Sequence, residues 1–279
     1  MLRLKRTGIY GKISRNDFKE EILFMLQKME AIACQAGEMM LKARDAAVHQ
    51  KEGHFNFVTD ADAAIEAYLK EALLPLIPGS RFFGEEEEND PLTDDPTFLV
   101  DPIDGTTNFI RNRNLSVVSI ALLEKKTPVL GVIYNPYSDE MFTAEKGKGA
   151  WLNGEKIHVS DIPFENALIS YGTSPYDAEL AQRTMRAAEK FLLESGDLRR
   201  SGSAAVDLAD VACGRSDIMF EMRLRPWDIA AGSLLVQEAG GVFYSLGHDA
   251  PYYDSAAGVL AANPLCIDKA MEIMKEVLQ

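Results

Sequence analysis

The sequence predicts a layered α/β (α+β) protein in two parts: helix pairs against a mostly antiparallel sheet, then strands alternating with helices. Three observations predict it. Apolar residues recur at three- and four-residue steps after Asp17 and again after Thr59, the period of an amphipathic helix. Short apolar runs divided by turn residues fill the stretch from Arg81 to Gly154, as paired strands do. From Ala167 onward, strand-length and helix-length runs take turns, as in an α/β half.

The elements follow in order. Phe18, Ile22, Met25, Met29, Ile32, Ala33, Ala36, Met39 and Met40 form the stripe of a first helix, and a methionine-rich stripe packs a core. Thr59-Asp60-Ala61-Asp62 opens a second helix with Ile65, Tyr68 and Leu69 inward, closed by Pro75 and Pro78. Arg81–Gly84 and Phe98–Val100 are short strands running into Glu85 and Asp101. Ser116–Leu123 and Val129–Tyr134 pair across a turn at Glu124–Pro128, and Glu140–Ala144 adds another strand. Lys146–Trp151 with Asn153-Gly154 reads as a hairpin. Ala167–Tyr171, Ala178–Glu194, Ala204–Cys213, Ile218–Glu221 and a helix after Asp228 then alternate. The expected organisation is an extension over 1–16, an α+β subdomain over 17–155 and an α/β subdomain over 156–279.

Composition narrows the function classes. The chain has 279 residues and a formal net charge of −14, part of it concentrated in Glu85–Glu88 and Asp90–Asp95. A polyanionic nucleic-acid backbone is therefore not an expected partner. Cys34, Cys213 and Cys266 are scattered and odd in number, so neither a zinc site nor a disulfide framework is expected. His49, His54, His158 and His248 show no metal spacing and no nucleophilic triad. The basic residues near the N-terminus precede no apolar signal core, and no apolar stretch approaches the ~20 residues that span a bilayer. A soluble cytoplasmic protein with no membrane partner is expected, and a homodimer, with residues 1–16 as a candidate contact.

Residues 101–109, Asp-Pro-Ile-Asp-Gly-Thr-Thr-Asn-Phe, carry the chemistry. Pro102 pushes Asp101 toward an extended backbone, so Asp101 is expected at a strand end. Asp104 opens a Gly-Thr-Thr-Asn turn that reads as a helix start. Carboxylates in such a loop suit a hard divalent cation, and the free N–H groups of a helix start can hold a phosphate. A lone Asp-x-x-Asp is also explained as an acidic turn with an N-cap. Two further segments add weight: Gly84-Glu85-Glu86, and Pro226-Trp227-Asp228 followed by Ile229-Ala230-Ala231-Gly232 and Glu238-Ala239-Gly240-Gly241. Glu85, Asp101, Asp104 and Asp228 thus supply four carboxylates from three segments, each at a junction between an apolar run and a helix or turn.

The order Gly-Glu-Glu, Asp-Pro-Ile-Asp-Gly-Thr-Thr-Asn-Phe, Trp-Asp-(x)-Ala-Ala-Gly and Glu-Ala-Gly-Gly resembles the inositol monophosphatase family of magnesium-dependent phosphatases. The likeness runs from about residue 20 to the C-terminus. It implies a layered α-β-α-β-α sandwich of the inositol monophosphatase and sugar phosphatase type, acting on a small phosphate monoester, with two to three Mg2+ ions per active site and inhibition by lithium. Carried over residue by residue, it implies that Glu85, Asp101 and the carbonyl of Ile103 hold one ion, with a weaker third ion near Glu85. Asp101 would bridge to a second ion completed by Asp104 and Asp228. Thr106 and Asp62 would position and deprotonate the attacking water, although Asp62 alone is equally explained as a helix-start carboxylate. The N–H groups of Gly105 and Thr106 would bind phosphate. Gly202, Ser203 and Ala204 would line a sugar-like ring whose hydroxyls Glu221 accepts; Ser203 stands where the family has Thr. Arg199, Arg200, Arg223 and Arg225 read either as surface charges or as a second phosphate site. Myo-inositol monophosphate is the expected substrate, fructose 1,6-bisphosphate the alternative, and a metal-binding regulatory relative the non-enzymatic reading.

Overall fold

The computed structural model describes residues 15–44, 46–50 and 57–278. Most of the expected 1–16 extension, and His54, lie outside the described residues. In chain order the elements are α1 (Arg15–Lys42), β1 (Val48–Gln50), β2 (Phe57–Thr59), α2 (Asp60–Leu73), β3 (Arg81–Gly84), β4 (Thr97–Asp104) and α3 (Thr106–Ile110). There follow β5 (Val117–Glu124), β6 (Thr127–Asn135), β7 (Glu140–Glu145), β8 (Gly149–Leu152) and β9 (Glu155–Ile157). The second half holds β10 (Leu168–Tyr171), α4 (Ala178–Glu194), β11 (Asp197–Arg199), α5 (Ala204–Ala212), β12 (Ile218–Leu224) and α6 (Pro226–Glu238). It ends with β13 (Val242–Leu246), β14 (Ala257–Ala262) and α7 (Ile267–Leu278).

Turn chemistry explains several of these boundaries. The β5–β6 hairpin turns on Lys125 and Lys126 alone, both at positive φ, so the expected five-residue turn contracts to two residues. The single hairpin expected over 146–154 is instead two, because Gly149–Leu152 pairs with β7 on one side and β9 on the other. Asn153 and Gly154 supply the positive φ angles of the second turn. Strand β11 was not legible: it is three residues long, and Asp197 and Arg199 are charged.

Strands β3 to β9 form a seven-stranded sheet in sequence order, antiparallel except for the β3–β4 pair. A five-stranded sheet has the order β11-β10-β12-β14-β13. Within it β10 runs parallel to both β11 and β12, while β14 is antiparallel to β12 and β13. Helices α1 and α2 bury Met29, Met40, Ile65 and Leu69 against Phe98, Val118 and Ile120 on the outer face of the large sheet. Helices α5 and α6 fill the space between the sheets, joining Leu99 and Ile133 of one to Met219 and Val259 of the other. Helices α4 and α7 cover the remaining face through Phe191 and Met274 against Phe220 and Leu260. The result is the α-β-α-β-α sandwich. Among the described residues, no helix is long and apolar enough to cross a membrane.

Helix α6 lies between two sheets, and every residue from Ile229 to Val236 is buried. A helix apolar all round is what such a position requires. Its close approach to α5 depends on Gly232, where a Cβ would stand 2.6 Å from Leu208 Cβ. Gly232→Ala is therefore expected to force the two helices apart and cost about 1–3 kcal/mol. Urea unfolding reads this as a lower midpoint, and an unchanged midpoint would mean the layer adjusts freely.

Candidate active site

Three carboxylates reach one place because three backbone segments are locked together. Strands β3 and β4 are parallel with Gly84 opposite Val100, so Glu85 and Asp101 are the next residues on neighbouring strands. The strand does not stop at Asp101, as expected, but continues to Asp104. Asp101 pairs with Ser119 and Asp104 with Val117, three steps against two, which is a bulge. Pro102 has no N–H for the ladder, and Asp101 Oδ1 accepts from Ile103 N at 2.9 Å. The third carboxylate, Asp228, sits in the first turn of α6 and accepts from Arg225 N at 2.7 Å. Its neighbour Trp227 ties it to β3 and to β5, the strand paired with β4. The Trp227 ring meets Phe83 of β3 at 5.7 Å, and its carbonyl accepts from Ser119 Oγ at 3.4 Å.

Glu85, Asp101 and Asp228 each place a carboxylate oxygen within 4.8 Å of the others. Asp101 is 1% exposed. Burial first, then the charges of Glu85, Asp104, Asp228 and Asp62, push its pKa well above the ordinary 3.8. Asp228 is raised in the same way by burial, Glu85 and Asp104, against the Arg225 N–H. A set of mutually repelling hard oxygens, with Asp101 buried at its centre and Glu85 and Asp228 half-buried, fits a divalent cation such as Mg2+, which would neutralise them.

Asp104 stands outside that trio. Its Oδ2 accepts from Ser203 Oγ at 2.5 Å and Ala205 N at 2.6 Å, which joins it to the first turn of α5. Burial raises its pKa, and these donors oppose the rise. Ser203, expected to face a substrate ring, therefore holds Asp104 and also caps α5 by accepting from Val206 N at 3.2 Å. The expected helix start after Asp104 is short, five residues, and capped by Gly105 in the left-handed region (φ +89°), which favours glycine. Thr106 Oγ1 donates to the carbonyl of Ile103 at 3.3 Å, bringing two expected site residues together. Asp62 accepts from Thr59 N at 2.7 Å and Thr59 Oγ1 at 2.6 Å, closing a capping box on α2 while its charge reaches Asp101.

On the other side of the site, Glu221 of β12 accepts from Ser174 N at 3.3 Å, and Gly172 leaves room for its carboxylate. Its side chain keeps some solvent contact, yet packing around the carboxyl raises its pKa to about 7, with Asp104 adding and Ser174 and Arg200 opposing. Of the four arginines, Arg199 pairs with Asp197 and Arg223 with Asp177. Arg225 lies 6.0 Å from the Trp227 ring centre, and Arg200 donates to Thr173 Oγ1 at 3.1 Å. A cavity of about 600 Å3 beside Pro163, Phe164 and Lys269 contains none of these residues.

Two site residues were missed in the sequence. Glu66, 3% exposed, accepts from Glu86 N at 2.9 Å and so anchors the Glu85 loop. A carboxylate one turn after Asp62, between inward-facing Ile65 and Leu69, was the available signal. Asn108 donates to Leu115 O at 2.8 Å and Ser201 O at 3.0 Å, clamping α3 to the loop before α5. Nothing in the sequence pairs residues this far apart.

The raised pKa of Asp101 gives a pH dependence of definite sign. The unfolded chain releases this proton near the ordinary 3.8 and the folded chain at higher pH. Across that window the folded state holds more protons, so metal-free stability falls as pH rises. Asp101→Asn keeps an oxygen for Ile103 N–H and removes the charge. At about pH 8 in chelator it is expected to raise the thermal midpoint by roughly 2–4 °C, about 1 kcal/mol, and to flatten the pH dependence. A lower midpoint in chelator would contradict mutual repulsion.

Known proteins agree with this architecture. The model of the inositol monophosphatase family matches residues 21–279. Inositol monophosphatase 2 of Solanum lycopersicum is 41% identical over 220 residues, 75% of this chain and 83% of its own length. Nus factor SuhB of Escherichia coli is 37% identical over 261 residues, 91% of this chain and 97% of its own. The crystal structure of extragenic suppressor protein SuhB from Bartonella henselae superposes with a TM-score of 0.82 at 32% identity, covering 90% of this chain and 98% of that one. This chain belongs to the inositol monophosphatase family.

Proposed function

We propose that this protein is a magnesium-dependent phosphomonoesterase that hydrolyses myo-inositol monophosphate to inositol and phosphate by direct attack of water. The observation that supports it most is the convergent trio Glu85, Asp101 and Asp228, with Asp101 buried and the other two half-buried, beside the Gly105–Thr106 helix start. Glu85, Asp101, the Ile103 carbonyl, Asp104 and Asp228 would hold two to three Mg2+ ions. When bound, Mg2+ supplies neutralisation of the phosphoryl oxygens, a lowered water pKa and stabilisation of the leaving alkoxide. The N–H groups of Gly105 and Thr106 hold the phosphoryl group. The Thr106 hydroxyl orients the attacking water, and Asp62 accepts its proton through that hydroxyl. Water adds to phosphorus, the P–O ester bond breaks, and the inositol oxygen leaves with a proton from solvent water, to which Asp62 returns the proton that it accepted. Glu221 accepts from the ring hydroxyls, while the 202–204 turn walls the ring and keeps Asp104 in place. In this reading 17–155 carries most metal ligands, and 156–279 carries the substrate side and Asp228.

One observation favours a second reading. Arg200 lies close enough to Glu221 to oppose its pKa rise, so a second phosphate on the substrate, as in fructose 1,6-bisphosphate, would meet a cation there. The family also includes a relative named Nus factor SuhB, and a regulatory role without turnover is the alternative to catalysis.

Magnesium-dependent phosphate release from inositol 1-phosphate, fructose 1,6-bisphosphate and an aryl phosphate tests these readings together. Release from inositol 1-phosphate is expected, and no release from any of the three would favour regulation. Glu221→Gln is expected to lower inositol phosphate turnover about ten- to a hundredfold while sparing the aryl phosphate, the range for a hydrogen bond to a charged acceptor. Arg200→Ala damages the bisphosphate selectively if the second reading holds. Thr106→Ala should cut the rate by ~10²–10⁴ with little change in Mg2+ affinity measured by calorimetry. Parallel losses of affinity and rate would remove the hydroxyl from the role of orienting water.

A further inference from the structure

The loop of residues 172–177, between β10 and α4, is pinned along its length. Gly172 N donates to Phe220 O at 3.1 Å. Thr173 Oγ1 takes the hydrogen bond from Arg200, and Ser174 N gives one to Glu221 at 3.3 Å. Ser174 holds a left-handed backbone (φ +42°), which brings the chain sharply around Glu221. Asp177 then closes the loop by capping α4, accepting from Glu179 N at 3.0 Å and Leu180 N at 3.1 Å. Pro175 and Tyr176 stand out from this fixed base.

Tyr176 is 62% exposed. Single exposed aromatics are ordinary, but the position of this one is not. Packing around its hydroxyl end raises the phenol pKa, and so do the charges of Glu221, Glu85 and Asp228, with Arg200 opposing. Those four residues come from separate segments and share one neighbourhood, the mouth of the carboxylate site. Ser174, two residues before Tyr176, is bonded to Glu221, so the exposed ring belongs to the short loop that borders the Glu221 side of the site.

A cyclic polyol has two kinds of surface. Its hydroxyls lie around the rim and want acceptors, while its C–H face is apolar and gains from an aromatic surface. We infer that Tyr176 is a specificity-determining residue, an aromatic wall that covers the C–H face of a cyclic polyol phosphate while Glu221 takes the hydroxyls. This rests on the polyol-phosphate reading of the site above. It explains how the pocket would prefer a ring to an open chain without any further charged group.

Binding measured by calorimetry with Ca2+ in place of Mg2+ tests the contact apart from turnover. The probes are inositol 1-phosphate and the acyclic glycerol 2-phosphate. Tyr176→Ala is expected to weaken inositol 1-phosphate about tenfold, within the range of one aromatic contact, and glycerol 2-phosphate less than about twofold. Tyr176→Phe should keep wild-type affinity, because the ring and not the hydroxyl makes the contact. Equal effects of Tyr176→Ala on both probes, no effect on either, or a loss in Tyr176→Phe as large as in Tyr176→Ala would each overturn the inference. So would failure of the wild-type protein to bind inositol 1-phosphate. If the wild type binds with the predicted pattern yet releases no phosphate in Mg2+, the contact stands and the enzymatic reading falls.

Discussion

Three carboxylates that repel one another are held within 4.8 Å, and the architecture around them is what keeps them there. Asp101 is buried at the centre of that repulsion, so its charged form is costly without a compensating cation. Such an arrangement persists only when the surrounding structure over-determines it. Here the β3–β4 register sets Glu85 beside Asp101, and Trp227 fastens the start of α6 to Phe83 and Ser119.

Other contacts extend that restraint across the layers. Asp104 belongs to the large sheet, yet its carboxylate is held by Ser203 and Ala205 at the start of α5. Asn108 makes a second link from α3 to the carbonyl of Ser201. The loop carrying Glu85 is anchored from α2 by Glu66. The residues proposed for metal and those proposed for substrate therefore share supports, and a change in one supporting contact is felt on both sides. The packing of α6 on both sheets serves the same end, since Asp228 moves with that helix.

Much of this was legible in the sequence because the signals are local. The stripes of α1 and α2, the apolar runs of the large sheet and the short motifs bearing Glu85, Asp101 and Asp228 are patterns of neighbouring residues. What escaped depends on contacts between distant segments. The extension of β4 to Asp104 follows from pairing with β5 and a bulge, which Pro102 alone does not announce. Asp104 and Ser203 were read as facing metal and substrate, but they also face each other across 99 positions of chain. Glu66 is buried where α2 meets the Glu85 loop, through a bond from Glu86 N that no local pattern announces. Tyr176 lies in a loop with no periodic pattern, and only the fold puts it near Glu221.

The central claim is that the trio formed by Glu85, Asp101 and Asp228 is a divalent-cation site. Crystals grown in chelator and then soaked in Mn2+ test it most directly, because the anomalous signal of manganese locates the ion without reference to activity. The account predicts a strong peak bonded to oxygens of Glu85, Asp101 and Asp228. A well-ordered structure from a saturating soak that shows no peak there, or a peak held by other residues alone, would contradict it.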